Sequence, residues 1–152
     1  MTTMFSDATT LESLTCEIEW KVYNFGRHEH LMKIGKFLTS KQFYNPKCPS
    51  VIWELRIYKE TSSQHYHPYS NERNVISLVQ VGLIHSNDPV KAKFDICMLY
   101  ENGEKSTLCH QVNTTIEFKN QSESNKYSIF KPKTADYPLT IFVMLNLCRL
   151  IQ

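Results

Sequence analysis

Glycine is scarce in this chain, with four in 152 residues. A phosphate cradle needs glycines close together, and Gly26, Gly35, Gly82 and Gly103 cannot supply a phosphate loop or a dinucleotide fingerprint. No charge of one sign accumulates either. Lys and Arg number 17 against 15 Asp and Glu, leaving +2, which is too balanced to argue for nucleic acid or an anionic membrane. The five cysteines (Cys16, Cys48, Cys97, Cys109 and Cys148) are scattered, odd in number and without a Cys-x-x-Cys pair. They read as small apolar residues in a reducing compartment, cytoplasmic or nuclear. Met1 to Thr10 is polar and shows no secretory signal. The sequons at Asn113 and Asn120 therefore read as chance. The run Leu139 to Ile151 is too short for a membrane helix and is interrupted by Asn146 and Arg149, so a buried strand is expected there.

What the chain does have is alternation. In Cys16 to Tyr23, Cys16, Ile18, Trp20 and Val22 fall on one side of a two-residue period, and Glu17, Glu19, Lys21 and Tyr23 on the other. A strand with one buried and one wet face requires this pattern. The length suits one domain, which buries roughly 70% of its unfolded-chain surface. Apolar content of 41% and aromatic content of 12% suit a soluble globular protein.

The same grammar continues along the chain. Residues 1–14 read as a flexible N-terminal lead-in and 15–150 as the domain. Arg27 to His30 is predicted as a polar loop, and Met32 to Ser40 as a weaker strand. Val51 to Tyr58 alternates, with Val51, Trp53, Leu55 and Ile57 inward and Glu54 and Arg56 outward. Lys59 to Arg73 reads as a long surface loop. Val75 to Ile84 is apolar on both sides, as a covered central strand requires. Ser86-Asn87-Asp88-Pro89 is a turn, and Val90 to Tyr100 a strand. Asn102-Gly103 then predicts a hairpin with a type I′ turn, returning through Lys105 to Val112. Thr114 to Lys119 and Tyr127 to Phe130 are short strand candidates, and Leu139 to Leu147 closes the sheet. No amphipathic helix is found. About eight short strands predict an all-β antiparallel sandwich with Trp20 and Trp53 sealed between its sheets.

Six segments carry a family resemblance. Trp20-Lys21-Val22-Tyr23-Asn24-Phe25 resembles the Trp-x-Ile-x-Asn-Phe opening of MATH (meprin and TRAF homology) domains. Leu38 to Phe43 is similar to their Ser-x-x-Phe strand, and Val51 to Ile57 to their Trp-x-Leu-x-Val strand. Val75-Ile76-Ser77-Leu78, Val90-Lys91-Ala92-Lys93-Phe94 and Leu139-Thr140-Ile141-Phe142 resemble three further strands in the same order. The resemblance spans about Ile18 to Leu145. It implies an eight-stranded, TRAF-like antiparallel β-sandwich that is not an enzyme and binds an extended linear peptide of a partner protein. In ubiquitin-ligase adaptors such a domain selects the substrate while a following BTB domain binds cullin. No BTB, protease or coiled-coil segment stands within these residues. By the same resemblance the peptide-binding positions are Val75, Phe94, Ile116 and Tyr127. Val75 and Ile116 stand where adaptor-type members carry tyrosine.

Other chemistry finds little support. His28-Glu29-His30 and His65-Tyr66-His67 could each share a metal if extended, but no Cys or carboxylate cluster completes a zinc set. Cys109 and His110 are strand neighbours that point to opposite faces, so they do not form a thiolate and its base. Glu17 and Glu19 read as solubilising charges on a wet edge rather than an acid/base pair. No cofactor, metal, nucleic-acid or membrane partner is expected. Two readings stay open: a peptide-binding module, and an assembly domain that forms homo-oligomers or pairs with other MATH proteins through a sheet edge.

Overall fold

The computed structural model describes residues 1–8, 10–61, 72–82, 90–110, 115–119, 121–130, 132 and 137–151. The His65–His67 motif, the Ser86–Pro89 turn and both sequon asparagines lie outside them. The chain folds as two antiparallel sheets, as the alternation requires. In the first, β1 (Thr10–Val22) pairs with β9 (Leu139–Ile151) along its whole length, from Thr10↔Ile151 to Val22↔Leu139. β9 pairs next with β5 (Val90–Leu99). The far edge of β5 is shared by β6 (Lys105–His110) and β7 (Ile116–Phe118). The second sheet runs β2 (Phe37–Thr39), β3 (Trp53–Thr61), β4 (Glu72–Gln80), β8 (Tyr127–Ile129).

The period-two pattern dictates which side chains meet. Ala92, Phe94, Ile96 and Met98 on β5 and Ile141, Val143 and Leu145 on β9 face Trp53, Leu55, Ile57, Ile76 and Leu78 from the other sheet. Each such aliphatic side chain contributes about 1.5–3 kcal/mol by leaving water. Trp53 is fully buried and meets Phe118 edge-on at 4.9 Å; Phe118 meets Phe94 at 6.1 Å. Trp20 is only half-buried, at the rim of the core, so one of the two tryptophans expected inside is sealed and the other is not.

Several boundaries differ from those the sequence predicts, each for a local reason. There are nine strands among the described residues rather than about eight; each matches a segment read as a strand from the sequence, and the total differs because β6 and β7 share one edge of β5 as two separate strands. β1 starts at Thr10, ahead of Cys16, since β9 supplies backbone partners that far and Leu14 is buried. The predicted loop at Arg27 to His30 is part of a seven-residue helix, α1 (Phe25–Leu31). Asn24 enters the left-handed region (φ 54) and its carbonyl accepts from the N–H groups of Arg27 and His28. Two turns anchored by buried Phe25 are too short to show a helical stripe. The Asn102-Gly103 hairpin forms, but not through a type I′ turn. Gly103 has φ 86 while Asn102 keeps a negative φ. The Gly103 N–H donates to the Tyr100 carbonyl, and Tyr100 N–H to Glu104, as in a longer loop with one left-handed glycine. Across the same hairpin the register shifts between Ile96 and Cys97, so Leu108 is bulged out of the ladder.

Gly82 fixes where β4 leaves the sheet. A Cβ there would stand 2.3 Å from the Ser50 carbonyl oxygen and 2.9 Å from the Ile52 nitrogen, and the adjacent Val81 N–H donates to the Ile52 carbonyl at 2.8 Å. Backbone on both sides leaves nothing to rotate away. Gly82→Ala is expected to lower stability by about 2–3 kcal/mol, read as a fall in the urea midpoint at unchanged m. An unchanged midpoint would show that the approach is not as close as described.

Candidate functional site

The outer face of the second sheet is the most elaborated surface of the molecule. β3 turns Trp53, Leu55 and Ile57 inward, which sends Glu54, Arg56, Tyr58 and Glu60 outward. Register then sets their neighbours: Glu54 opposite Val79, Arg56 opposite Ser77, Tyr58 opposite Val75, and Glu60 opposite Arg73. On the β2 side Phe37 lies beside Tyr58 and Thr39 beside Arg56. On the other side Ser128 lies beside Val75, and Glu123 bridges to Val79. Among the described residues, neither helix nor strand packs across this face.

The floor is made of small side chains. Val75, Ser77 and Val79 are fully buried, yet the two valines stand outside the core cluster. Around that floor stand cations paired with aromatic rings. The Arg56 guanidinium lies 4.7 Å from the centre of the Phe37 ring, and the Lys126 ammonium 4.6 Å from that of Tyr58. The two rings meet at 5.2 Å. Arg56 also pairs with Glu54 at 2.7 Å, Lys126 with Glu60 at 3.8 Å, and Arg73 hydrogen-bonds Glu60 and Ser128. The Ser77 hydroxyl donates to Glu123. Burial pushes the Tyr58 phenol up, and its hydrogen bond to Glu123 adds to this while Arg56 opposes it. The Arg56 guanidinium loses some hydration on burial, but its bonds to Tyr58 and Glu54 outweigh that and hold it more firmly charged. This face can therefore offer ring faces, held cations and carboxylates to an extended ligand. The three-residue edge strand β8 lies beside it.

The four residues named from the sequence do not share this surface. Val75 is in its floor, paired with Tyr58 and Ser128. Tyr127 is opposite Ile76 and so turns to the interior, half-buried, where it hydrogen-bonds Cys109. Ile116 is opposite Ala92, on the inner side of the first sheet. Phe94 is 1% exposed within the core. The sequence reading passed over Tyr58, Phe37 and Lys126. The available signal was the spacing Glu54-x-Arg56-x-Tyr58 on the wet side of a strand, which puts three interacting groups in one row. His28 and His30 fall within α1, where a two-residue spacing does not share a face as it does in extended chain. Among the described residues no group of three or more His, Cys, Asp or Glu could hold a metal ion. No helix among them is long and apolar enough to cross a membrane.

Fold and face together define a two-sheet β-sandwich with one ornamented outer surface. Comparison with known proteins gives a relative: over 128 residues the chain is 30% identical to the BTB and MATH domain-containing protein 42 of Caenorhabditis elegans. The match covers 83% of this chain and 29% of that protein, so the chain spans under a third of its relative's length. No family profile matches the chain. The similarity is to a MATH-containing protein, and the sandwich is MATH-like in that general sense.

The Tyr127–Cys109 contact gives the fold an alkaline limit. Burial raises both groups; the thiol bond raises Tyr127 further, while Tyr127 partly opposes the rise of Cys109. Cys16 and Tyr58 shift the same way, chiefly by burial. In the unfolded chain the thiols ionise near 9.0 and the phenols near 10.0, while the folded groups keep their protons. The unfolded state then binds fewer protons, so stability, full below those values, falls as pH rises through and above them. Thermal midpoints measured from neutral to strongly alkaline pH are expected to drop from about pH 9 upward. Tyr127→Phe should flatten the steeper, later part, and an identical profile in that variant would remove Tyr127 as a cause.

Proposed function

We propose that this domain is a non-enzymatic protein-interaction module that binds a short extended peptide of a partner protein across the outer face of its second sheet. The observation that carries the reading is the row Val75, Ser77, Val79. It is a floor of small buried side chains flanked by the Arg56–Phe37 and Lys126–Tyr58 pairs, on a sheet face that no other described element covers. An extended peptide presents alternate side chains to such a face and can add backbone hydrogen bonds at a short edge. Aromatic and arginine side chains are the groups that dominate binding energy at interfaces. The likeness to a MATH-containing protein supports the same class of role. The name of that relative also pairs MATH with BTB, which supports a place in substrate selection for ubiquitin ligases.

In this reading Tyr58, Arg56, Phe37 and Lys126 meet the ligand and Val75 lies beneath it. Phe94, Ile116 and Tyr127 support the surface from the interior. The outer face of the first sheet is the weaker candidate. It carries the exposed pairs Lys21 with Glu19 at 3.3 Å and Lys91 with Glu117 at 3.8 Å, and Lys105 over the Phe142 ring at 4.6 Å, but Phe142, Met144 and Asn146 along β9 are half-buried or exposed rather than a buried floor like Val75, Ser77 and Val79.

The test is a peptide array followed by fluorescence anisotropy on the peptides it yields. Tyr58→Ala and Lys126→Ala should each weaken binding tenfold or more, about 1.4 kcal/mol at least, with little change in unfolding temperature. Phe94→Ala should instead lose about 3–5 kcal/mol of stability, as large core deletions do. Undiminished binding in both surface variants would remove this face as the site.

A further inference from the structure

A concave surface lies at the end of the first sheet where Leu139 pairs with Val22. It is a cleft of about 690 Å³ lined by apolar Met98, Tyr100, Phe130, Tyr137 and Leu139, with polar Glu101 and Asn102 beside them. The Tyr137 hydroxyl reaches the Tyr100 carbonyl at 3.5 Å, tying two of its walls together. Phe130 is 62% exposed and Tyr100 39% exposed. Exposed aromatic rings gathered around one concavity are the mark of a surface that something covers.

The same chain carries two exposed apolar side chains in its otherwise polar first ten residues. Met4 and Phe5, ahead of β1, are 85% and 92% exposed. They cannot reach the cleft of their own chain. Leu139 lines the cleft and pairs with Val22, whereas Met4 and Phe5 precede Thr10, at the other end of the same strand. The twelve steps from Thr10 to Val22 span about 40 Å at about 3.3 Å each. Phe5 is five residues from Thr10, a reach of about 17 Å at most.

We propose that two copies of this chain exchange these segments, each seating Met4 and Phe5 in the cleft of the other. β1 is an edge strand of its sheet. Two copies laid antiparallel along their β1 edges bring the Thr10 end of each to the Val22 end of its partner, where the cleft is. Contact area favours the reciprocal form. Seating one Met and one Phe removes about 300–400 Å² from the segment and a smaller area from the cleft, well under the roughly 1,200 Å² of the smallest specific interfaces. Two reciprocal contacts give about 1,000 Å², and backbone pairing along the two β1 edges adds the remainder that a specific pair needs. A single head-to-tail contact would be weaker and would propagate as an open chain. A thioether and a phenyl ring suit walls of two tyrosines, a phenylalanine and a methionine. This pairing is independent of the peptide reading and uses none of its residues.

The experiment is sedimentation equilibrium on the full chain from low micromolar to near-millimolar concentration. A monomer–dimer equilibrium is expected, with no higher species. The double substitution Met4→Ser with Phe5→Ser should raise the dimer dissociation constant tenfold or more. It should leave the unfolding temperature unchanged, since those side chains touch nothing in the folded monomer. Phe130→Ala should weaken the dimer similarly. In mixtures, the segment variant and the cleft variant should form more heterodimer than either forms homodimer, because one intact contact survives. A strict monomer throughout, an undiminished dimer in the segment variant, or an open-ended series of oligomers would each overturn the proposal. Tyr58→Ala should leave dimerisation as it was, so this result and the peptide result can fail separately.

Discussion

Trp53 and Phe118 come from different sheets, and their edge-on contact at 4.9 Å is where the sandwich is joined. Phe118 also reaches Phe94 on β5, so three rings span the layer between β3 and the edge of the first sheet. The contact needs β7, a strand of only three residues, to dock beside Ala92 on β5. That docking in turn fixes Ile116, opposite Ala92 and two residues before Phe118, on the inner side. Because Trp53 is committed inward, its strand neighbours Glu54 and Arg56 are committed outward, and the outer row follows from the same choice. A one-residue slip of β3 would bury the Glu54–Arg56 ion pair and expose the indole together. The core contact and the surface row are thus two consequences of one register.

β4 shows what that register makes available. Every residue from Asn74 to Gln80 is buried, although only one side of the strand faces the other sheet. Ile76 and Leu78 are covered by the core. Val75, Ser77 and Val79 are small enough to sink between the longer side chains of β3 and the 121–129 segment. The Leu78 N–H donates to the Ser124 hydroxyl and the Ser124 N–H returns to the Leu78 carbonyl, 2.9 and 2.8 Å. This holds the segment carrying Glu123 and Lys126 against β4, and with it the cation over the Tyr58 ring. The outer face is therefore positioned by strand ladders and buried hydrogen bonds, the kind of fixed surface that the proposed peptide binding would use.

Much of the fold was legible because a half-buried strand writes its two faces into alternate positions. Cys16 to Val22, Trp53 to Ile57 and Ala92 to Met98 all did so, and the continuous apolar run from Val75 marked a central strand buried on both sides, though no described element lies across its outer side. What the sequence hid was decided by partners distant along the chain. β1 extends back to Thr10 because β9 pairs with it there, and nothing in Thr10 to Leu14 alone records that. α1 is fixed by a left-handed Asn24 and one buried ring, too little for a period to register. The hairpin was visible in Asn102-Gly103, but its turn type depended on the loop from Tyr100 to Glu104 closing around one positive-φ glycine. At the candidate site, alternation told outward from inward for Arg56 and could not say that Phe37, eighteen or more residues away in sequence, would lie beneath its guanidinium. Motif matching placed Phe94, Ile116 and Tyr127 by strand order, while their facing is set by pairing: each sits opposite or beside a core residue.

The outer row and the end cleft differ in the kind of partner each would take under the two proposals, and the difference lies in what each has already satisfied. The outer row holds its cations against rings and its carboxylates against cations, so an incoming chain meets an ordered set of polar and aromatic groups. The selectivity available there is that of alternate side chains against fixed neighbours. The end cleft is lined mainly by rings and aliphatic side chains, with Glu101 and Asn102 among them, and shape and apolar area are its main offer. Area alone discriminates poorly between ligands unless the occupant is held nearby at high effective concentration. A segment tethered to an identical chain, delivered by an edge strand that runs the length of the sheet, supplies that concentration; a freely diffusing peptide does not. The polar face is accordingly suited to choosing among partners, and the cleft to a partner already chosen.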